Sequence, residues 1–233
     1  MTIVHHPAET PLDLSRSAQH QLTLREGHGI VPAPPSMVPW GMPSFPTLST
    51  ERLRLRQFLP TDAPRVKELA GAKEVAAGTL LPHPYEDGTA EEWMATQDRN
   101  FESGAAIYFA VTLVQNGALI GSIGLEIARE HRQARLSYWL GMDYWRQGFA
   151  TEAVTAVLAY GFDQLDLNRI YAPHFSGNDA SGRVLQKSGM TYEGRMREHY
   201  LRFGLFVDLE LYGMLRRDFI QRNTESKSGT TPG

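Results

Sequence analysis

The stretch Tyr144-Trp145-Arg146-Gln147-Gly148-Phe149-Ala150-Thr151-Glu152-Ala153 joins an alternating apolar run, Ala134 to Leu140, to a helical pattern that continues to about Gln164. Within that pattern Ala150, Val154, Val157, Leu158, Gly161 and Leu165 recur at helical spacing, while Thr151, Glu152 and Thr155 turn away from them. The spacing predicts a strand, a short glycine-bearing loop and a helix with one buried face. At such a junction the first-turn N–H groups lack partners inside the helix and the helix dipole adds partial positive charge. A pyrophosphate can therefore be held there by backbone donors. Gly148, having no Cβ, lets a ligand and the chain come close.

A second, shorter unit follows. Arg169-Ile170-Tyr171-Ala172 reads as a strand, and Asn178 to Met190 as a helix capped by Asn178 or Asp179 and closed by Gly189. A strand, helix, strand run of this length implies a right-handed crossover between parallel strands, so the Gly148 loop lies at the carboxyl edge of the sheet, which ligands favour. Upstream, Leu53 to Phe58 alternates as a strand, Thr61-Asp62-Ala63-Pro64 opens a helix, and Ala90 to Phe101 is another. Ile107 to Val114 and Ala118 to Ala128 are strands turned at Asn116-Gly117; Thr191 to Arg202 and Phe206 to Leu215 form a last hairpin turned near Gly204. The fold class is α/β, an α+β-like mixed sheet flanked by helices.

Residues 1–45 carry Pro32, Pro34, Pro35, Pro39 and Pro43, a density that blocks helix and central strand. They are expected to be a flexible arm whose Trp40, Met42 and Phe45 could pack on the domain or on a neighbouring subunit. Residues 46–221 then form the domain, and 222–233, rich in Ser, Thr and Gly, a disordered tail. The 233 residues suit one domain with extensions. A net charge of -3 gives no electrostatic case for direct nucleic-acid binding. The absence of cysteine excludes disulfides, thiolate metal sites and a cysteine nucleophile. No apolar run reaches membrane-spanning length, and the early Glu9, Asp13 and histidines do not form a signal-peptide layout. The expected compartment is the cytoplasm, with no membrane association, and the expected state is monomer or homodimer.

On the residues above, the chain resembles the GNAT superfamily of acyl-CoA-dependent N-acetyltransferases over roughly Leu48 to Phe219. That family carries Q/R-x-x-G-x-G/A at the start of its central helix, and Trp145, Arg146, Gln147, Gly148, Phe149 and Ala150 occupy those six places. Tryptophan at the first place departs from the pattern. It is similar instead to the RimJ/RimL branch of ribosomal-protein alanine N-acetyltransferases, which often reads Y-W-x-x-G-x-A-T-E-A. Asn178-x-x-Ser181, Lys187-x-Gly189, Tyr192-Glu193-Gly194 and Asp208 before Leu209-Glu210-Leu211-Tyr212 fit that branch too. The chain has no G-x-x-x-x-G-K-[ST] run and no three-glycine dinucleotide fingerprint.

The resemblance implies acetyl-CoA as acyl donor and direct transfer to an amine, most simply a protein N-terminal α-amine. A small amine such as an antibiotic, polyamine or amino acid is the alternative acceptor, and an acyl-CoA-binding module without turnover is the third reading. It also implies cofactor contacts for Arg146, Gln147, Gly148, Phe149, Ala150 and Thr151 with the pyrophosphate, and for the backbone of Trp139, Leu140 and Gly141 with the pantetheine arm, one of whose N–H groups would serve the oxyanion. Trp139 has an ordinary core reading besides, and Arg146 a solvated one. Asn178 would contact the cofactor arm or simply cap its helix. Ser181 is the candidate donor to the departing thiolate, with Tyr192 its rival and Glu126, on a cleft-bordering strand, the candidate base through a water. His131, His174 and His199 have suitable intrinsic pKa values but sit singly. No ligand spacing for a metal is present, so none is expected.

Overall fold

Residues 44–228, those described by the computed structural model, contain one eight-stranded sheet. Its strands are β1 (Leu48–Ser49), β2 (Leu53–Arg56), β3 (Ala106–Leu113), β4 (Leu119–Ala128), β5 (Gln133–Leu140), β6 (Arg169–Phe175), β7 (Thr191–Arg202) and β8 (Leu205–Leu215). Their order is β1-β2-β3-β4-β5-β6-β8-β7, and every neighbouring pair is antiparallel except β5 with β6. The helices are α1 (Ala63–Ala70), α2 (Lys73–Ala77), α3 (Thr89–Ser103), α4 (Phe149–Asp163), α5 (Asp179–Lys187) and α6 (Arg216–Ser228).

Strand alternation divides the core into two layers. Ile107, Phe109, Val111 and Leu113 of β3 join the layer that holds Val154, Val157, Leu158 and Phe162 of α4. Ala110 between them belongs to the opposite layer, with Val66 of α1 and Met94 of α3, and Tyr108 packs against that same layer. The β-branched residues of α4 cost up to ~0.7 kcal/mol each in helix propensity. Burying Val154, Val157, Leu158 and Phe162, all at 2% exposure or less, contributes about 1.5–3 kcal/mol apiece and outweighs that cost. Gly161 lets this helix settle on the sheet, since a Cβ there would stand 2.6 Å from Ile170 Cδ1.

The Asn116-Gly117 turn forms as expected, with Asn116 Oδ1 accepting from Ala118 N–H at 3.0 Å and Gly117 at φ +71°. The last hairpin turns on Phe203 and Gly204, both at positive φ, which suits a two-residue loop. Two expectations need correction. The strand expected to stop at Ala172 runs through Pro173 to Phe175, all of it paired with β8. Arg169 N–H turns toward the β5 side, to Arg132 O, and strand alternation puts position 173 on that same edge, where proline's missing donor removes no bond to β8. The run from Asn223 expected to be disordered continues α6 as far as Ser228, and this helix is held by Phe219, which stacks on Phe162 at 5.0 Å. Of the arm, Phe45 packs against Phe101 and Phe109, while Trp40 and Met42 lie outside the described residues.

Asp62, at the N-cap of α1, makes no side-chain bond to that helix. Its carboxylate instead receives Arg56 Nη1 and Nη2 at 2.7 and 2.9 Å and Leu59 N–H at 2.8 Å. Burial pushes its pKa up, but these hydrogen bonds outweigh burial and leave it lowered. A folded pKa below the unfolded one contributes stability above the usual carboxylate range, and that stability is lost as pH falls through the folded pKa. Asp62→Asn should therefore cost about 2 kcal/mol at pH 7, less than a fully buried pair because Arg56 stays partly solvated. Urea unfolding of both proteins should show the difference shrinking as pH falls below the usual carboxylate range; a cost independent of pH would contradict this assignment.

Candidate active site

Strands β5 and β6 pair at only three positions, Gln133 with Arg169, Ala134 with Ile170 and Arg135 with Tyr171. Beyond Arg135 they separate, and a cleft of about 750 Å³ opens between their carboxyl ends. Tyr138, Trp139 and Leu140 line one wall, Phe175 and Ser176 the other, and the start of α4 closes one end. In the ladder with β4, Gly141 N–H donates to Ile120 O at 2.9 Å. Alternation then turns Trp139 main chain toward β4 as well, and Leu140 and Tyr138 toward the gap. Leu140 O confirms the direction by accepting Trp145 Nε1, from within the cleft lining, at 2.7 Å.

The loop before α4 has the left-handed backbone its sequence allows, with Arg146 at φ +61° and Gly148 at φ +84° as N-cap. Glu152 N–H is the first to close a helical bond, to Gly148 O. The N–H groups of Phe149, Ala150 and Thr151 make no hydrogen bond among the described residues, as expected for a first helical turn. Arg52, from the β1–β2 turn, braces this loop. Its Nη1 donates to Gln147 O at 3.0 Å, its Nε to Glu152 Oε2 at 2.7 Å, and its guanidinium lies 4.5 Å from the Phe149 ring centroid. Thr50 Oγ1 donates to the other oxygen of Glu152 at 2.6 Å.

Along the opposite wall, α5 presents Ala180, Arg183, Val184 and Lys187 to the cleft at helical spacing. With Arg146 these give the cleft three cations against Glu74 alone, a balance suited to a phosphorylated ligand. Asn178 is both cap and lining residue, its Oδ1 accepting Ser181 N–H at 3.2 Å. Ser181 Oγ lies 2.7 Å from the Tyr138 hydroxyl. Burial pushes the Tyr138 pKa up to about 12, so that hydroxyl keeps its proton.

Most residues anticipated from the sequence converge here: Trp139, Leu140, Arg146, Gly148, Phe149, Ala150, Thr151, Asn178 and Ser181 all line the cleft. Trp139 also packs against the α1/α3 apolar layer, so its core reading holds alongside. Four do not line it. Gly141 spends its N–H on β4 and cannot be the oxyanion donor. Gln147 turns its side chain to Asp143 O at 2.6 Å. Glu126 is gripped by Arg135 through both oxygens, at 2.9 and 2.7 Å, and by the Tyr108 hydroxyl at 2.6 Å. Burial pushes its pKa up, but those bonds outweigh burial and leave it lowered, which makes Glu126 a poor base. Tyr192 stands half exposed on β7 and donates to Glu210 at 2.8 Å. Hydrogen bonds from Ser176, Tyr192 and Arg195 bring the Glu210 pKa down to about 2, and Tyr192 serves that network rather than the cleft. None of His131, His174 and His199 lines the cleft.

Tyr138, Arg183 and Lys187 escaped the sequence reading. The two cations were legible as one face of α5 with Ala180 and Val184; Tyr138 was not, because its partner lies on α5, forty-three residues along the chain. Among the described residues, no group of three or more His, Asp or Glu is placed to hold a metal, and no helix is long and apolar enough to cross a membrane.

The family described as "Acetyltransferase (GNAT) domain" matches residues 52–191. The uncharacterized N-acetyltransferase YoaA of Bacillus subtilis is 32% identical over 173 residues, covering 74% of this chain and 98% of YoaA. The putative ribosomal N-acetyltransferase YdaF of the same organism is 27% identical, covering 72% and 94%. The fold matches a crystal structure of spermidine N-acetyltransferase from Vibrio cholerae in complex with CoA and spermine, with a TM-score of 0.65, 23% identity and coverage of 73% and 99%.

Gly148→Val forces a branched side chain into the left-handed region, against Arg52 Nη2 at 3.3 Å, and tilts the first-turn amides. Coenzyme A affinity by calorimetry should fall at least tenfold. An unchanged affinity would remove this loop from the phosphate site.

Proposed function

Because the chain belongs to the GNAT acetyltransferase family and is an acetyl-CoA-dependent N-acetyltransferase, we propose that its acceptor is the α-amine of a protein N-terminus and that the β5–β6 cleft is where transfer occurs. The observation carrying the site is the meeting, in one cleft, of the amides of residues 149–151, which have no partner among the described residues, with the Ser181 hydroxyl. The amides, with Arg146, Arg183 and Lys187 around them, suit the phosphates of coenzyme A. The gap-facing N–H of Leu140 suits the carbonyl oxygen of the thioester.

In the reaction the amine nitrogen attacks the thioester carbon, the C–N bond forms and the C–S bond breaks. The proton lost by nitrogen is the one the sulfur gains in the overall balance. Ser181 donates a hydrogen bond to the departing sulfur, whose reference pKa near ~8.5 makes full proton transfer from serine unnecessary. With Glu126 held ionised by Arg135, the open cleft leaves solvent to accept the amine's proton.

Two segments flank the acceptor side, the loop around residues 80–88 and the β7–β8 hairpin. Arg202 of the hairpin joins them, its Nη2 donating to Ala76 O at 2.9 Å and to Leu81 O. Beyond that tie Leu201, Phe203, Leu205 and Phe206 are exposed, an apolar rim suited to contact with a polypeptide rather than with a small, highly charged amine. The similarity to YdaF, whose name concerns ribosomal N-acetylation, supports the same reading.

Thiol release from acetyl-CoA, measured against short N-terminal peptides and a panel of polyamines, aminoglycosides and amino acids, tests the acceptor. Turnover with peptides is expected; turnover with small amines alone would replace this acceptor, and none with any amine would leave a binding module. Ser181→Ala should lower turnover about tenfold, roughly 1.4 kcal/mol of hydrogen bonding, with coenzyme A affinity unchanged.

A further inference from the structure

We propose that Tyr138 is a positioning residue for the transfer, its hydroxyl setting the direction of the Ser181 hydroxyl so that the serine proton points into the cleft. This rests on the role given to Ser181 above and adds a partner on another element of the fold. A serine in the first turn of a helix tends to turn its proton back to a nearby backbone carbonyl, and its hydroxyl rotor is otherwise free. Something outside the helix has to hold it outward.

Tyr138 meets that need. Its main chain is fixed opposite Ile123 in the β4–β5 ladder, and its side chain packs against the α4 apolar layer, so the ring has little freedom. From there the hydroxyl reaches Ser181 Oγ at 2.7 Å. The pair has two arrangements. If serine donates to tyrosine, the tyrosine proton is left with Ser181 O at 3.4 Å, long for an O–H donor. If tyrosine donates to serine, its proton has the short bond and the serine proton is free for the cleft. The second arrangement satisfies more of the buried hydroxyl, and a tyrosine whose burial raises its pKa to about 12 remains a donor throughout the pH range in which thiol chemistry runs. The same strand turns Leu140 N–H into the gap. One rigid segment, 138–140, thus aims both a main-chain donor and, through Ser181, a side-chain donor at the space where the thioester would sit.

Tyr138→Phe removes the hydroxyl and keeps the ring. The expected result is a kcat about tenfold lower, with KM for acetyl-CoA and coenzyme A affinity by calorimetry within twofold of wild type. In the double variant with Ser181→Ala, kcat should be no lower than in either single variant, because the two hydroxyls act as one unit. Wild-type kcat in Tyr138→Phe overturns the proposal. So does a double variant showing the product of the two losses, which would make the tyrosine an independent donor. A loss in Tyr138→Phe beside a wild-type rate in Ser181→Ala overturns it equally, by making tyrosine the donor itself. Parallel loss of coenzyme A affinity and melting temperature would assign Tyr138 a merely structural part. None of these outcomes depends on which amine is the natural acceptor, so a wrong acceptor and a wrong role for Tyr138 remain separable.

Discussion

The site exists because β5 and β6 stop pairing after Arg135 and Tyr171. Parallel neighbours normally satisfy each other's backbone groups along their whole length, and a gap in a buried sheet leaves polar groups without partners. Here the interruption is tolerated for identifiable reasons. Pro173 has no N–H to leave stranded on the gap side, and β6 keeps its full ladder with β8 on the other edge. Leu140 O is taken up by the Trp145 indole. What remains unpaired on β5 faces a cleft rather than the core, where a ligand can meet it.

The wedge alone would be an opening without a grip. The grip comes from α4, whose first turn offers amides to the same opening, and from the brace that fixes the preceding loop. Thr50, Arg52 and Glu152 bring the first strands of the chain against a helix a hundred residues later. Their hydrogen bonds shape main chain more than they add charge, and the cations that line the cleft, Arg146, Arg183 and Lys187, belong to other segments. Shape and charge are thus supplied separately. The Ser176–Glu210–Tyr192–Arg195 network does for the far wall what the Arg52 brace does for the near one, tying the end of β6 to the outer hairpin.

Two residues that fitted the chemistry by type, Glu126 and Tyr192, are held elsewhere by their own partners. Both have the right functional group. What removes them is a neighbour of opposite character across a strand pair: Arg135 opposite Glu126 and Glu210 diagonal to Tyr192. A carboxylate with its oxygens occupied and a phenol already donating have little left for an amine or a thiolate. Such pairings depend on register, which a linear reading of the chain does not contain.

The sequence by itself determined the features that are local. Period-2 and period-3.6 patterns set the strands and helices, Gly148 marked a loop open to close approach before α4, and the first-turn amides followed from the geometry of any helix start. Those are properties of a few consecutive residues, so they survive reading one position at a time. Only the tertiary structure decided that α6 is held by Phe219 against Phe162, that the Gly141 N–H is taken by β4 while the Leu140 N–H faces the gap, and that Tyr138 and Ser181, forty-three residues apart, share a hydrogen bond. Each of these turns on which side of a strand a group faces and what stands opposite it, and that is fixed by the packing of distant segments rather than by the segments themselves.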